Sequence, residues 1–132
     1  MGRVSKDVME RYEADKALAA EYDDRLTAAA AAERELRQAQ AEPGHDDAGL
    51  RALAKALDAA LLSVLRTAEA AERVAMGPKT YGTDDPGQSR AAEIARRRAT
   101  AKEPVRRWTD EVDRLRTARE VSKLSYRAVA RV

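Results

Sequence analysis

The sequence predicts an all-α protein: an elongated antiparallel three-helix bundle with coiled-coil-like seams. Three observations lead there. Alanine, leucine, arginine, glutamate and lysine dominate the chain, and all are strong helix formers. The helix breakers are confined to two stretches, "EPGHDDAG" (42–49) and "GPKTYGTDDPGQS" (77–89), which hold three of the four prolines and five of the six glycines. Between those stretches, apolar residues recur at spacings that alternate four and three, the signature of a heptad stripe. The expected organisation is a single helical domain over residues 1–132, with helices over about 5–41, 47–76 and 89–130 and a loop at 77–88.

The first helix is expected to begin at Ser5 as N-cap. Its seam reads Val8, Tyr12, Asp15, Ala19, Tyr22, Leu26, Ala29, Glu33, Leu36. At 1.5 Å per residue such a helix would be about 55 Å long. The second starts near Asp46–Asp47, both good capping residues, and stops at Gly77-Pro78. It carries Leu50, Leu53, Leu57, Leu61, Leu62, Val64 and Leu65. This is the most apolar segment, and its expected place is the centre. The third carries Ile94, Arg98, Ala101, Val105, Trp108, Val112, Leu115, Arg119, Ser122, Tyr126 and Val129. The alternation crosses Pro104 without a skip, which favours one long helix kinked at Pro104. The competing reading takes "TAKE" (100–103) as a capping box, with Thr100 as N-cap and Glu103 at N3, and gives a four-helix variant. Between the second and third helices, Tyr81 stands outside any seam and is expected to pack rather than to be displayed.

Composition limits stability and partners. Alanine supplies 29 residues and all larger apolar types together another 29, with no Phe and one Ile. An alanine-rich core lets helices approach closely, yet each methyl removes little area from water. A lone copy is then thinly stabilised, which argues for a protein partner or self-association. Net charge is only +2, but it is unevenly spread: residues 1–47 sum to −5, 48–89 to zero and 90–132 to +7.

That asymmetry gives two candidate surfaces. Arg96, Arg97, Arg98, Lys102, Arg106, Arg107 and Arg114 fall opposite or beside the apolar arc of the third helix. They form a basic face for an acidic partner or for phosphate. Glu10, Glu13, Glu21, Asp24 and Glu35 form an acidic partner face on the first helix. A particle with both faces suits heterologous packing between subunits. The basic run over 96–107 equally suits nucleic acid, through salt-sensitive phosphate contacts. Charges also lie within the seams, at Asp15, Glu33, Arg98 and Arg119. If these pair, the expected contact is Asp15 or Glu33 with Arg98 or Arg119.

Enzymatic chemistry finds no footing. The only histidine, His45 in "GHDDAG", has Asp46 and Asp47 beside it, but three consecutive side chains seldom converge on one metal ion. No Glu-x-x-His pair, nucleotide-binding glycine loop or nucleophile–base pair is present. The run "TAREVSKLSYRAVARV" (117–132) lacks the turn that a helix-turn-helix requires. No cofactor, metal or small-molecule substrate is indicated. With no cysteine, no apolar leader and no uncharged run long enough to span a bilayer, the expected place is the cytoplasm or an assembled particle. The function expected is that of a non-enzymatic helical assembly or adaptor subunit, with nucleic-acid binding as the alternative.

Overall fold

A computed structural model describes residues 4–44, 46–82 and 86–130, and the side chains of all of these except residues 86, 88 and 126–130. Among the described residues there is no strand. Five α-helices succeed one another: α1 (Lys6–Ala19), α2 (Tyr22–Ala41), α3 (Asp47–Met76), α4 (Pro86–Ala99) and α5 (Glu103–Ala130), with a 3-10 turn at Pro78–Thr80. The protein is all-helical as expected, but two of the three expected helices are each divided in two.

The helix expected over 5–41 breaks at Ala20–Glu21. It starts as expected, with Ser5 Oγ accepting from the Val8 amide at 3.1 Å. Ala20 still bonds back four residues to Lys16, whereas Glu21 N–H bonds only three back to Leu18. That tightened turn ends α1. No Pro or Gly marks the place. The first turn of α2 is acidic, with Asp23 and Asp24 suited to the positive end of a new helix.

The expected kinked helix over 89–130 is likewise two. Pro104 does not kink it. It is the second residue of α5, where its missing N–H would have had no intrahelical partner in any case. Nor does Thr100 form the capping box. Its hydroxyl turns back and donates to the Arg97 carbonyl at 2.9 Å, closing α4. The α5 ladder opens with Arg106 N–H to the Lys102 carbonyl at 3.0 Å.

The seam shifts phase across this turn. On α4 the buried residues are Ala92 and Ala99, while Ile94, expected in the seam, is 49% exposed and Arg98 is exposed. On α5 the expected seam holds: Val105, Val112 and Leu115 are buried, and Trp108, Arg119 and Ser122 are half-buried. Tyr126 and Val129 lie outside the residues whose side chains are described.

The second expected helix is α3 over its whole length. Asp46 caps it, its Oδ1 accepting from Ala48 N–H at 3.2 Å. Gly77 ends it in the left-handed region at φ 98°, with its N–H on the Arg73 carbonyl at 3.2 Å.

The chain forms two compact units. The first comprises residues 1–21 and 66–112: α1, the C-terminal part of α3, the 77–82 loop, α4 and the start of α5. Its core is built of small residues, with Val8, Thr67, Ala68, Ala70, Ala71, Ala92, Ala99, Val105 and Val112 buried. Burial of Thr67, Ala68, Ala70 and Ala71 in close succession means that α3 is enclosed on more than one face here. The second unit comprises residues 22–65 and 113–132: α2, the N-terminal part of α3 and the rest of α5. Leu57, Val64, Leu65 and Leu115 are its large buried side chains, with Ala29 and Ala54 buried among them.

Candidate functional site

In the first unit, the loop after α3 is fastened by a charged cluster around Tyr81. Asp15 on α1 receives Nε of Arg73 at 2.9 Å and a second guanidinium N–H at 3.0 Å, a bidentate pair from α3. The Tyr81 hydroxyl also donates to Asp15. Tyr81 is buried, as expected, with its ring edge-on to Tyr12 at 6.1 Å and the Arg11 guanidinium over its face at 5.4 Å. Arg11 donates to the Gly82 carbonyl at 2.9 Å, and Arg96 on α4 donates to the Thr80 carbonyl at 2.8 Å. Three helices, α1, α3 and α4, are thus tied through one loop.

The electrostatics of this cluster follow from its hydrogen bonds and its burial. The hydrogen bond from Arg73 holds the Asp15 carboxyl below the usual carboxylate range, with Tyr81 adding to the effect and burial opposing it. Burial first, and then the hydrogen bond to Asp15, pushes the Tyr81 hydroxyl well above the ordinary tyrosine value. Both shifts move these groups further from neutral pH, and their hydrogen bonds join α1, α3 and the loop. The cluster is a clasp.

Two of the four seam charges pair across helices, but not with the partners expected. Asp15 meets Arg73, and Arg119 meets Asp58 at 2.9 Å with a second contact at 3.3 Å. Both partners lie on α3, whose leucines dominate its sequence pattern and draw attention from its charged positions. Glu33 is exposed and pairs with Arg37 one turn along its own helix. Arg98 is exposed and makes no ion pair among the described residues. The Arg119 hydrogen bond also lowers the Asp58 carboxyl below its ordinary range.

All seven residues of the expected basic face are exposed. Arg96, Arg97, Arg98, Lys102, Arg106 and Arg107 belong to the first unit, gathered about the end of α4 and the start of α5, while Arg114 belongs to the second. Arg96 is engaged with the 77–82 loop. All five residues of the acidic face are exposed too, but the break at Ala20–Glu21 divides them: Glu10, Glu13 and Glu21 fall in the first unit, Asp24 and Glu35 in the second. Glu13 also reaches Lys16 on its own helix at 3.7 Å. His45 lies outside the described residues. Among the described residues no group of three His, Cys, Asp or Glu side chains is placed to hold a metal, and no helix is long and apolar enough to cross a membrane.

Sequence reasoning missed a concavity. In the second unit, α2, α3 and α5 leave an open groove of about 890 Å³. Leu36, Leu50, Leu57, Leu61 and Val121 line it, and Glu33, Arg37, Asp47 and Arg51 border it with both signs of charge. On α5, Val121 is 56% exposed and Leu124, one turn further on, is 60% exposed. A signal was present: Val121 and Leu124 fall off the seam of the third segment, so that helix has a second apolar edge. Compared with known proteins, the chain matches no protein family, no curated protein and no solved structure.

Proposed function

We propose that this protein is a non-enzymatic helical assembly subunit that acts by self-association through the groove of its second unit. The observation that carries this reading is the pairing, on one surface, of an unfilled apolar groove with an exposed apolar ridge, Val121 and Leu124, on the helix that forms its lip. A ridge beside a groove is self-complementary. A two-fold axis brings each ridge into the opposite groove and covers both at once, with no other patch required. The border fits the same occupant. Glu33 and Asp47 on one copy can face Arg37 and Arg51 on the other, whereas a strongly acidic or basic partner would meet like charge on half of it. The alanine-rich core adds a motive, because burying leucines between copies supplies area that the single chain lacks. A larger complex or particle built from such dimers is the natural setting.

Sedimentation equilibrium of the full chain and of Leu124→Glu tests this. The wild type is expected to dimerise at micromolar concentration and the variant to remain monomeric with an unchanged helical circular dichroism spectrum. Each large apolar side chain buried contributes about 1.5–3 kcal/mol, and the symmetry counts Leu124 twice, so the dissociation constant should rise by at least ~100-fold. A wild-type chain that stays monomeric at all concentrations, or a Leu124→Glu chain that dimerises as well as the wild type, sinks the reading.

A further inference from the structure

We propose that the corner where α4 ends and α5 begins is a binding face for the phosphate backbone of duplex nucleic acid, one that does not read sequence. It lies in the first unit and is independent of the groove. Arg97, Arg98, Lys102, Arg106 and Arg107 are exposed within eleven residues of chain, and none of the five side chains forms a hydrogen bond or ion pair among the described residues. Arg96 stands apart, because its Nε is held by the Thr80 carbonyl at 2.8 Å.

Helix electrostatics separate these cations into two groups. Arg97 and Arg98 in the last turn of α4 sit where a helix favours positive charge. Their position needs no ligand. Lys102, Arg106 and Arg107 flank or succeed the first turn of α5, where a helix favours acids, and Glu103 is the one acid there. Lys102 at this disfavoured end, with Arg106 and Arg107 just beyond it, has no partner among the described residues, and the three are a surplus that an external anion would balance. The turn at residues 100–102, closed by Thr100 Oγ on the Arg97 carbonyl and by Lys102 N–H on the Ala99 carbonyl at 2.9 Å, keeps the two groups next to each other along the chain.

The surroundings of the corner decide the type of anion. Four of the five cations are arginines, whose planar fork matches phosphate oxygens. A single strand would call for exposed aromatic rings as stacking platforms. Here Tyr81 is buried and Trp108 is half-buried in the α5 seam. A bilayer surface would call for an apolar stripe, and on α4 Ile94 is the one large exposed apolar side chain among those described. A duplex needs neither.

Fluorescence anisotropy of the full chain with a labelled 25-base-pair duplex, a single strand of the same length and anionic vesicles, across rising salt, is the test. Five phosphate contacts predict a slope of log affinity against log salt near about −4.5. Arg106→Glu/Arg107→Glu should shallow that slope by about 2 and weaken binding at least ~10-fold. This variant places acids near the start of α5, where the helix tolerates them, and its circular dichroism spectrum should match that of the wild type. Arg34→Glu/Lys55→Glu makes the same change in net charge away from both the corner and the groove, at exposed residues, and should leave affinity within about twofold. Four results overturn the proposal: no duplex binding at 50 mM salt, equal losses in the two variants, preference for the single strand, or binding to vesicles alone.

Discussion

Asp15 shows how a residue that looks misplaced in an apolar seam can be the residue that organises its surroundings. Its carboxylate takes the Arg73 fork and the Tyr81 hydroxyl, so it links α1, α3 and the 77–82 loop. Replacing it by Asn keeps the shape, removes the charge and weakens three hydrogen bonds. An expected cost of about 1–2 kcal/mol allows for Arg73 being half in solvent. The pH dependence has a definite sign. The folded-state value of Asp15 is depressed, so its contribution is complete above the ordinary value of 3.8 and is lost as pH falls through the lower folded value. Urea denaturation of wild type and Asp15→Asn should therefore differ most near neutrality and converge below pH 3.8. A difference that stays constant down to pH 2 would show that charge is not what Asp15 contributes.

At the scale of elements, the two helix breaks were differently legible. The alternation of apolar positions runs through Ala20–Glu21 with Val8, Tyr12, Leu26 and Ala29 all at least half-buried, so periodicity alone could not reveal that break. The break at residues 100–102 was visible in principle. Ala92 and Ala99 form the buried face of α4, but an alanine stripe carries little hydropathy, and the lone isoleucine drew the seam onto the wrong side. Pro104 gives the direct check. A proline inside a helix costs about 3 kcal/mol, so Pro104→Ala would stabilise a kinked helix strongly. In the first turn of α5 the same change loses only the restriction that proline places on the unfolded chain. Thermal denaturation should show Pro104→Ala neutral to about 1 kcal/mol less stable. A stabilisation of about 2 kcal/mol or more would restore the kink.

For the molecule as a whole, the consequence of composition is a core with few large side chains. Leu115, Val64, Val105 and Thr67 are the largest fully buried ones among the described residues, and seven of the fifteen buried hydrophobic residues are alanines. A domain's stability is commonly about 5–15 kcal/mol, so losing one anchor is serious. Leu115→Ala is expected to cost about 2–5 kcal/mol, while Ile94→Ala, though it removes a comparable side chain, should cost under about 1 kcal/mol. Equal shifts of the urea midpoint in the two variants would contradict the burial pattern of α4 and α5. The same shortage of core is why the exposed leucine and valine beside the groove matter for function: their burial would be a substantial addition to a small total.

The sequence by itself determined the helical class, the extent of α3, the cap at Ser5, an aspartate cap at Asp46 or Asp47, the α5 seam from Val105 to Ser122 and the exposure of the arginine run. Each depends on neighbours within a few turns, where propensity, capping chemistry and the 3.6-residue period act directly. Tertiary structure decided which charges meet, because Asp15 chooses Arg73 and Arg119 chooses Asp58 across distances of 58 and 61 residues that no local pattern encodes. It also decided which face of α4 is buried. There, Ala92 and Ala99 are buried while Ile94 is left half in solvent. The groove, finally, exists only because three helices meet without filling the space between them.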